Sequence, residues 1–304
     1  MSTPQASPSG STRQPRSKAT VKPARMSRIE MDALDSSLLA RGLFDFGITT
    51  NSAGANVIMQ LAYPPVGYGV SRSSVIDGRA DMHPIKRGRT TLTYIAVAVL
   101  GTAEDRRRYR QAVNRQHAQV RSAIDSPVEY NAMDPTLQLW VAACLYYGIE
   151  DLYERVHGKL IGDERHTFYR QGMVLGTTLQ MPAEAWPETR ADFDTYWNSM
   201  LPQLSISDEV RENLIEVASQ TNLPRLMRQD SPHIALSNAL GFLPPEIREL
   251  MRIPWTRRDQ ERFDAVVARA AEHARTRPLW RSQFVSRAML ADVRMRMRLG
   301  MKLV

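Results

Sequence analysis

From Met26 onward the apolar residues recur at spacings of three and four, and β-branched alternation is scarce. That period belongs to amphipathic helices rather than strands, so the pattern predicts an all-α chain. Ala53–Tyr63 (AGANVIMQLAY) reads as a short apolar helix halted by Pro64-Pro65. Val66–Ile76 follows, with Gly67, Gly69, Ser71, Ser73 and Ser74. Such small residues either admit a close backbone or a flat ligand, or simply form a Gly/Ser-rich connection. Asp77-Gly78 marks a turn.

Pro84 opens a helix over Lys86–Leu100, with Arg87, Thr91, Tyr94 and Ala98 along one stripe and Leu92, Ile95 and Val99 along another. Thr102 and Asp105 have the spacing of a capping pair for the next helix. There Tyr109, Val113, His117, Val120 and Ile124 share a face, opposite Arg106, Arg107, Arg110, Asn114 and Arg121. The spacing turns His117 towards the core. Asp134-Pro135 starts the next helix as cap and first residue. Its segment Leu137–Tyr147 (LQLWVAACLYY) is apolar nearly all round and predicts burial, with Cys144 as core filler. Asp163-Glu164 begins a helix to about Leu175, and shorter helical pieces follow at Asp192–Leu201, Asp208–Ser219, Pro232–Phe242 and Pro245–Met251. Thr256 caps a long helix to about Arg275. The last helix, about Leu279–Leu299, lines up Met289, Val293, Met297 and Met301 beside Arg294, Arg298 and Lys302. A basic amphipathic helix of this kind is suited to a membrane surface; the methionine stripe favours docking on the rest of the chain.

The charge of +8 first suggests nucleic acid, but Arg13, Arg16, Lys18, Lys22, Arg25 and Arg28 supply six of those charges with no acid among residues 1–28. The remainder is nearly neutral and gives no electrostatic reason for a nucleic-acid face. Residues 1–25, rich in Ser, Pro, Thr, Gln, Arg and Lys, predict a disordered basic tail. A lone cysteine, Cys144, permits neither an intramolecular disulfide nor a cysteine metal cage and fits a reducing compartment. No segment approaches the roughly 20 apolar residues of a membrane span, and the N-terminus lacks a signal-peptide core. A cytoplasmic location is therefore expected, with membrane association only through the C-terminal helix.

An inward histidine is either satisfied by a core acceptor or binds a metal or cofactor. His117 has no Cys, His or carboxylate at helical spacing, which argues against zinc, with its three or four protein ligands. Haem needs only one axial ligand from the protein, because the porphyrin supplies the rest. His157 and His166 lie in polar surroundings, His83 is a cap or turn residue, His233 sits in the first turn of a helix, and His273 lies on a charged face. No phosphate-binding glycine loop, nucleophile elbow or carboxylate pair in an apolar setting is present.

Four segments resemble the catalytic domain of the MpaB-type oxygenases and rubber oxygenases (latex-clearing proteins). They are QLAYPPVGYGV (Gln60–Val70), Arg87-x-x-Thr90-Thr91 leading into Thr93-Tyr94, NRQHAQVR (Asn114–Arg121) and DPTLQLWVAACL (Asp134–Leu145). A fainter likeness runs through Phe168-Tyr169 and Met181-Pro182 to Tyr196, so the resemblance is strongest over residues 50–200. It implies an all-α domain with a globin-like core, haem b with its iron held by His117, and Arg87, Thr90 and Thr91 at the haem pocket. The implied activity is cleavage of isoprenoid double bonds by dioxygen. Thr90 stands where rubber-cleaving members have lysine, Ser71-Arg72-Ser73 replaces an acidic residue after the Gly-Val element, and Ala142 stands where many relatives have histidine. Glu30, Asp77 and Asp81 are the remaining candidates for a carboxylate base.

The sequence thus predicts a disordered tail over residues 1–25 and a single helical domain over 26–304. That domain is expected to be a haem-dependent oxygenase of an apolar, isoprenoid or lipid-like substrate, with Arg87, Thr90 and Thr91 as catalytic residues and His117, Arg87 and Tyr94 as cofactor contacts. The alternative is a non-catalytic haem or lipid-binding protein of the same fold.

Overall fold

Local signals set most helix starts. Ser27, Thr102 and Thr189 each accept a hydrogen bond from the backbone three residues on, and Glu30, Asp105 and Asp192 answer them, closing capping boxes. Asp134 accepts from the Thr136 amide ahead of Pro135. The computed structural model describes residues 26–41, 46–72, 84–228, 230–276 and 278–304. Its helices are α1 (Arg28–Asp32), α2 (Ser37–Ala40), α3 (Phe46–Leu61), α4 (Pro64–Ser71), α5 (Pro84–Leu100), α6 (Ala103–His117), α7 (Pro135–His157), α8 (Gly162–Thr177), α9 (Arg190–Met200), α10 (Asp208–Ala218), α11 (Pro232–Gly241), α12 (Pro245–Leu250), α13 (Arg257–Thr276), α14 (Leu279–Ser282) and α15 (Phe284–Arg298). Among the described residues the only strand-like feature is an isolated bridge between Arg121 and Asn131. The chain is all-α, as the periodicity predicts. The predicted tail, Asp77-Gly78, Asp81 and His83 lie outside the described residues.

The apolar run of α7 makes it the axis of the core. It packs against α3, α8 and α13, and the run continues well past Tyr147, because the next turns still bury Leu152, Tyr153 and Val156. Cys144 is buried, and burial pushes its thiol up, away from the reactive thiolate. Around Tyr146 lies an aromatic cluster, with ring centroids 5.0 Å away at Phe193, 5.4 Å at Tyr169 and 5.8 Å at Trp186. Beneath it the Tyr146 hydroxyl donates to Glu150 at 2.6 Å, and Arg190 reaches the same carboxylate at 2.7 Å. Gly172 lets α8 approach this cluster, since a Cβ there would stand 2.4 Å from the Tyr146 ring. Gly172→Ala is therefore expected to destabilise by about 1–3 kcal/mol through overpacking, seen as a lower urea midpoint at an unchanged m-value.

Two expectations are corrected. Arg106, placed by period on a solvated face, is buried: its guanidinium donates to the carbonyls of Asp32 (2.7 Å) and Ala98 (2.9 Å) and to the Ser36 hydroxyl (3.0 Å). The segment around α1 and α2 covers that face of α6, and helical period says nothing about a cover supplied from elsewhere in the chain. Ile124, predicted on the inward face, is fully exposed because α6 ends at His117 and the period ends with it. The C-terminal helix α15 docks along α5, burying Leu290 and Val293. Met289 and Met297 are half-buried and Met301 is exposed. Arg294 binds Asp105 at 2.7 Å, tying α15 to the start of α6.

Candidate functional site

The α5–α6 hairpin builds one wall of a cavity. Arg87, Thr90, Thr91 and Tyr94 border it from α5, and Tyr109, Val113 and His117 from α6. After His117 the chain folds back: the Ser122 amide donates to Tyr130 and the Ala132 amide to Val120, at 2.9 and 3.0 Å. That return brings Val120, Tyr130 and Ala132 across the cavity, and α7 closes it with Leu137, Val141 and Leu145. From α4, Gly69 faces the Tyr130 ring, which a Cβ would meet at 3.3 Å; of the two readings of the small residues near Val66, close approach is the one seen there. The cavity measures about 280 Å³. All five residues singled out in the sequence, Arg87, Thr90, Thr91, Tyr94 and His117, meet at this one cavity.

Their chemistry differs in detail from the expectation. His117 is held through Nδ1, 2.9 Å from the Gln180 amide oxygen. With Nδ1 donating there, Nε2 carries the free lone pair. Burial lowers the His117 pKa; the Gln180 bond opposes this and the Arg87 charge adds to it. The imidazole is therefore neutral near pH 7, as a metal ligand must be. Arg87 borders the cavity and keeps accessible surface; the surrounding protein pushes its guanidinium down while the nearby Tyr109 pushes it up. Among the described residues no carboxylate pairs with Arg87 and no Asp or Glu borders the cavity. A cation so placed favours an anionic group from a bound molecule.

The hydroxyls of Thr90 and Thr91 donate to the carbonyls of Lys86 (2.9 Å) and Arg87 (3.0 Å) one turn back. They therefore present lone pairs. The Tyr94 hydroxyl is committed to the Leu175 carbonyl, so Tyr94 offers the cavity its ring rather than a polar group. Glu30 is engaged in the α1 capping box and takes no part. Ala142 does not border the cavity; it is buried, and a Cβ on Gly176 would stand 3.3 Å from its methyl. The absence of histidine there leaves the cavity lining unaltered. His157, His166, His233 and His273 are exposed.

Two polar residues escaped the sequence reading. Gln180 orients His117, and Gln138 donates to the Ala132 carbonyl at 2.8 Å while its buried Oε1, at the cavity wall, has no partner. Each is a lone amide in an apolar run, Leu179-Gln180-Met181 and Leu137-Gln138-Leu139, which is the signal that could have found them. Among the described residues no three His, Cys, Asp or Glu side chains converge to hold a bare metal ion. One free imidazole nitrogen, a guanidinium without a carboxylate partner among the described residues, and apolar walls fit an iron porphyrin, which brings its own ring nitrogens and carries carboxylates.

The family described as ER-bound oxygenase mpaB/B'/rubber oxygenase, catalytic domain, matches residues 43–272, well beyond the four short motifs. An uncharacterized protein of Mycobacterium tuberculosis and one of Mycobacterium bovis are each 46% identical over 252 residues, covering 82% of this chain and 98% of theirs. No solved structure matches.

Proposed function

The chain belongs to the mpaB/rubber oxygenase catalytic-domain family, and on that premise we propose that it is a haem b-dependent oxygenase acting with dioxygen on an apolar, isoprenoid- or lipid-like substrate. The observation that carries this reading is the meeting of His117 and Arg87, which has no carboxylate partner among the described residues, at one largely apolar cavity. When bound, haem supplies the iron at which dioxygen is activated. His117 would hold the haem iron through Nε2, with Gln180 fixing its tautomer and ring plane. Arg87 pairs with a porphyrin carboxylate. Thr90 and Thr91 accept hydrogen bonds at the cavity wall in their observed rotamers, and a turn of either hydroxyl makes it a donor. Tyr94, with the apolar side chains of α6 and α7, excludes water and gives an alkene-like chain a surface to lie on.

The test is spectroscopic first. Protein produced with a haem precursor is expected to purify with a Soret band, and reduced, haem-loaded protein given dioxygen and a polyisoprenoid should release carbonyl products. A folded, colourless protein that takes up no added haem sinks the proposal. Replacing the orienting amide in Gln180→Leu is expected to weaken haem binding about 10–100-fold without unfolding, measured by haem titration.

A second reading, a non-catalytic haem or lipid carrier, is favoured by the lack of any carboxylate at the cavity among the described residues. A Soret band with no dioxygen consumed in the presence of any polyisoprenoid would select it.

A further inference from the structure

A second, outer groove of about 680 Å³ lies between α5, α15 and the turn at Asn222–Pro224. Lys86, Thr90, Lys302 and Val304 border both it and the His117 cavity, so the two spaces are neighbours across a thin partition. The groove has apolar walls at Ile85, Pro224 and Leu303. Among the described residues its charged side chains are mostly cationic: Arg89, Arg296 and Lys302 stand with one acidic side chain, Asp292. Arg89 and Arg296 share that carboxylate, at 2.9 and 2.8 Å. One negative charge divided between two guanidiniums leaves positive charge over. The Lys302 ammonium adds to it, with no ion pair among the described residues. Exposed cations are individually weak, but several in a low-dielectric concavity focus a field.

We propose that the outer groove binds the anionic head, carboxylate or phosphate, of a long-chain amphiphile whose apolar tail passes Thr90 towards the His117 cavity. The tail is held by apolar burial and the head by charge-assisted hydrogen bonds from Arg89, Arg296 and Lys302. As a statement about substrate class this rests on the oxygenase reading; as a statement about binding it does not. The geometry already seats one carboxylate between Arg89 and Arg296, that of Asp292, which shows that these guanidiniums converge at a carboxylate-sized spacing.

The test uses three molecules with one chain and different heads: oleate, oleyl phosphate and neutral oleyl alcohol. Each is titrated calorimetrically below its aggregation threshold, into protein with and without haem. The two anions are expected to bind at least tenfold more tightly than the alcohol in low salt, and the gap should narrow in high salt. The ratio between the two anions tells which acid group the groove prefers. In Arg89→Ala/Lys302→Glu the anions should lose that advantage while the alcohol binds as before, with helicity checked by circular dichroism. Equal affinity for all three molecules, or an equal loss for all three in the variant, overturns the proposal. A head-group preference without any Soret band would overturn the oxygenase reading and leave this one standing. A Soret band without the preference would do the reverse.

Discussion

His117→Ala is expected to purify without a Soret band and with an unchanged helical circular dichroism spectrum. Iron held in a porphyrin needs the protein for one bond, and among the described residues no other histidine borders the cavity. The same change should cost the fold little. His117 is half-buried at the last residue of α6, and its hydrogen bond is to Gln180 alone. Losing one such bond is worth about 1 kcal/mol, far too little to unfold the chain. Ligand loss and structural loss are therefore separable. His117→Gly with added imidazole sharpens the contrast, because a ligand role predicts a band that returns with imidazole and a packing role predicts none. A His117→Ala protein that binds haem as tightly as the parent would show that the ligand is elsewhere.

The second large effect concerns stability. Arg190→Met should destabilise by roughly 3–5 kcal/mol, because it strands the buried Glu150 carboxylate without its cation. Glu150 would keep the Tyr146 hydroxyl at 2.6 Å but lose the bonds from Arg190. Arg190 also lies over the Phe193 ring, 4.9 Å from its centroid, so packing is lost with the charge. Adding Glu150→Gln in the same chain removes the stranded charge and should recover a good part of the loss, a coupling that chemical denaturation of both single variants and the double variant measures. Equal and additive losses would mean that the pair is not coupled. Because this network lies beneath the Tyr146 cluster and not at the His117 cavity, the haem affinity of protein that remains folded should be unchanged.

The α5–α6 hairpin shows how far sequence reasoning reaches. Pro84 and the Thr102–Asp105 pair are strictly local signals, and both helices begin where those signals predict. Arg87, Thr91 and Tyr94 share a stripe because a helix repeats every 3.6 residues, and they do border one cavity. The same arithmetic failed at Arg106, where the period is right and the environment is not: a separate segment lies over that face and offers oxygen acceptors at Asp32, Leu34 and Ser36. It failed again at Ile124, where a helix end ends the period. Period places Thr91 at the cavity but does not give its hydrogen bond, because a threonine in a helix can donate to the carbonyl one turn back, here that of Arg87.

The sequence by itself determined the helical class, the starts of α5, α6 and α7, the burial of most of Leu137–Tyr147 and the inward turn of His117, because caps, prolines and apolar period act within one or two turns of chain. The four motifs, in order, also carried the family. Only the tertiary structure decided which atoms serve the cavity. It set Gln180 on the imidazole across 63 residues of chain, left Arg87 at the cavity with no carboxylate partner among the described residues, and brought Lys302 and Val304 from beyond α15 to the border between cavity and groove. Those relations join elements far apart in the chain, and no local pattern encodes a meeting that packing alone arranges.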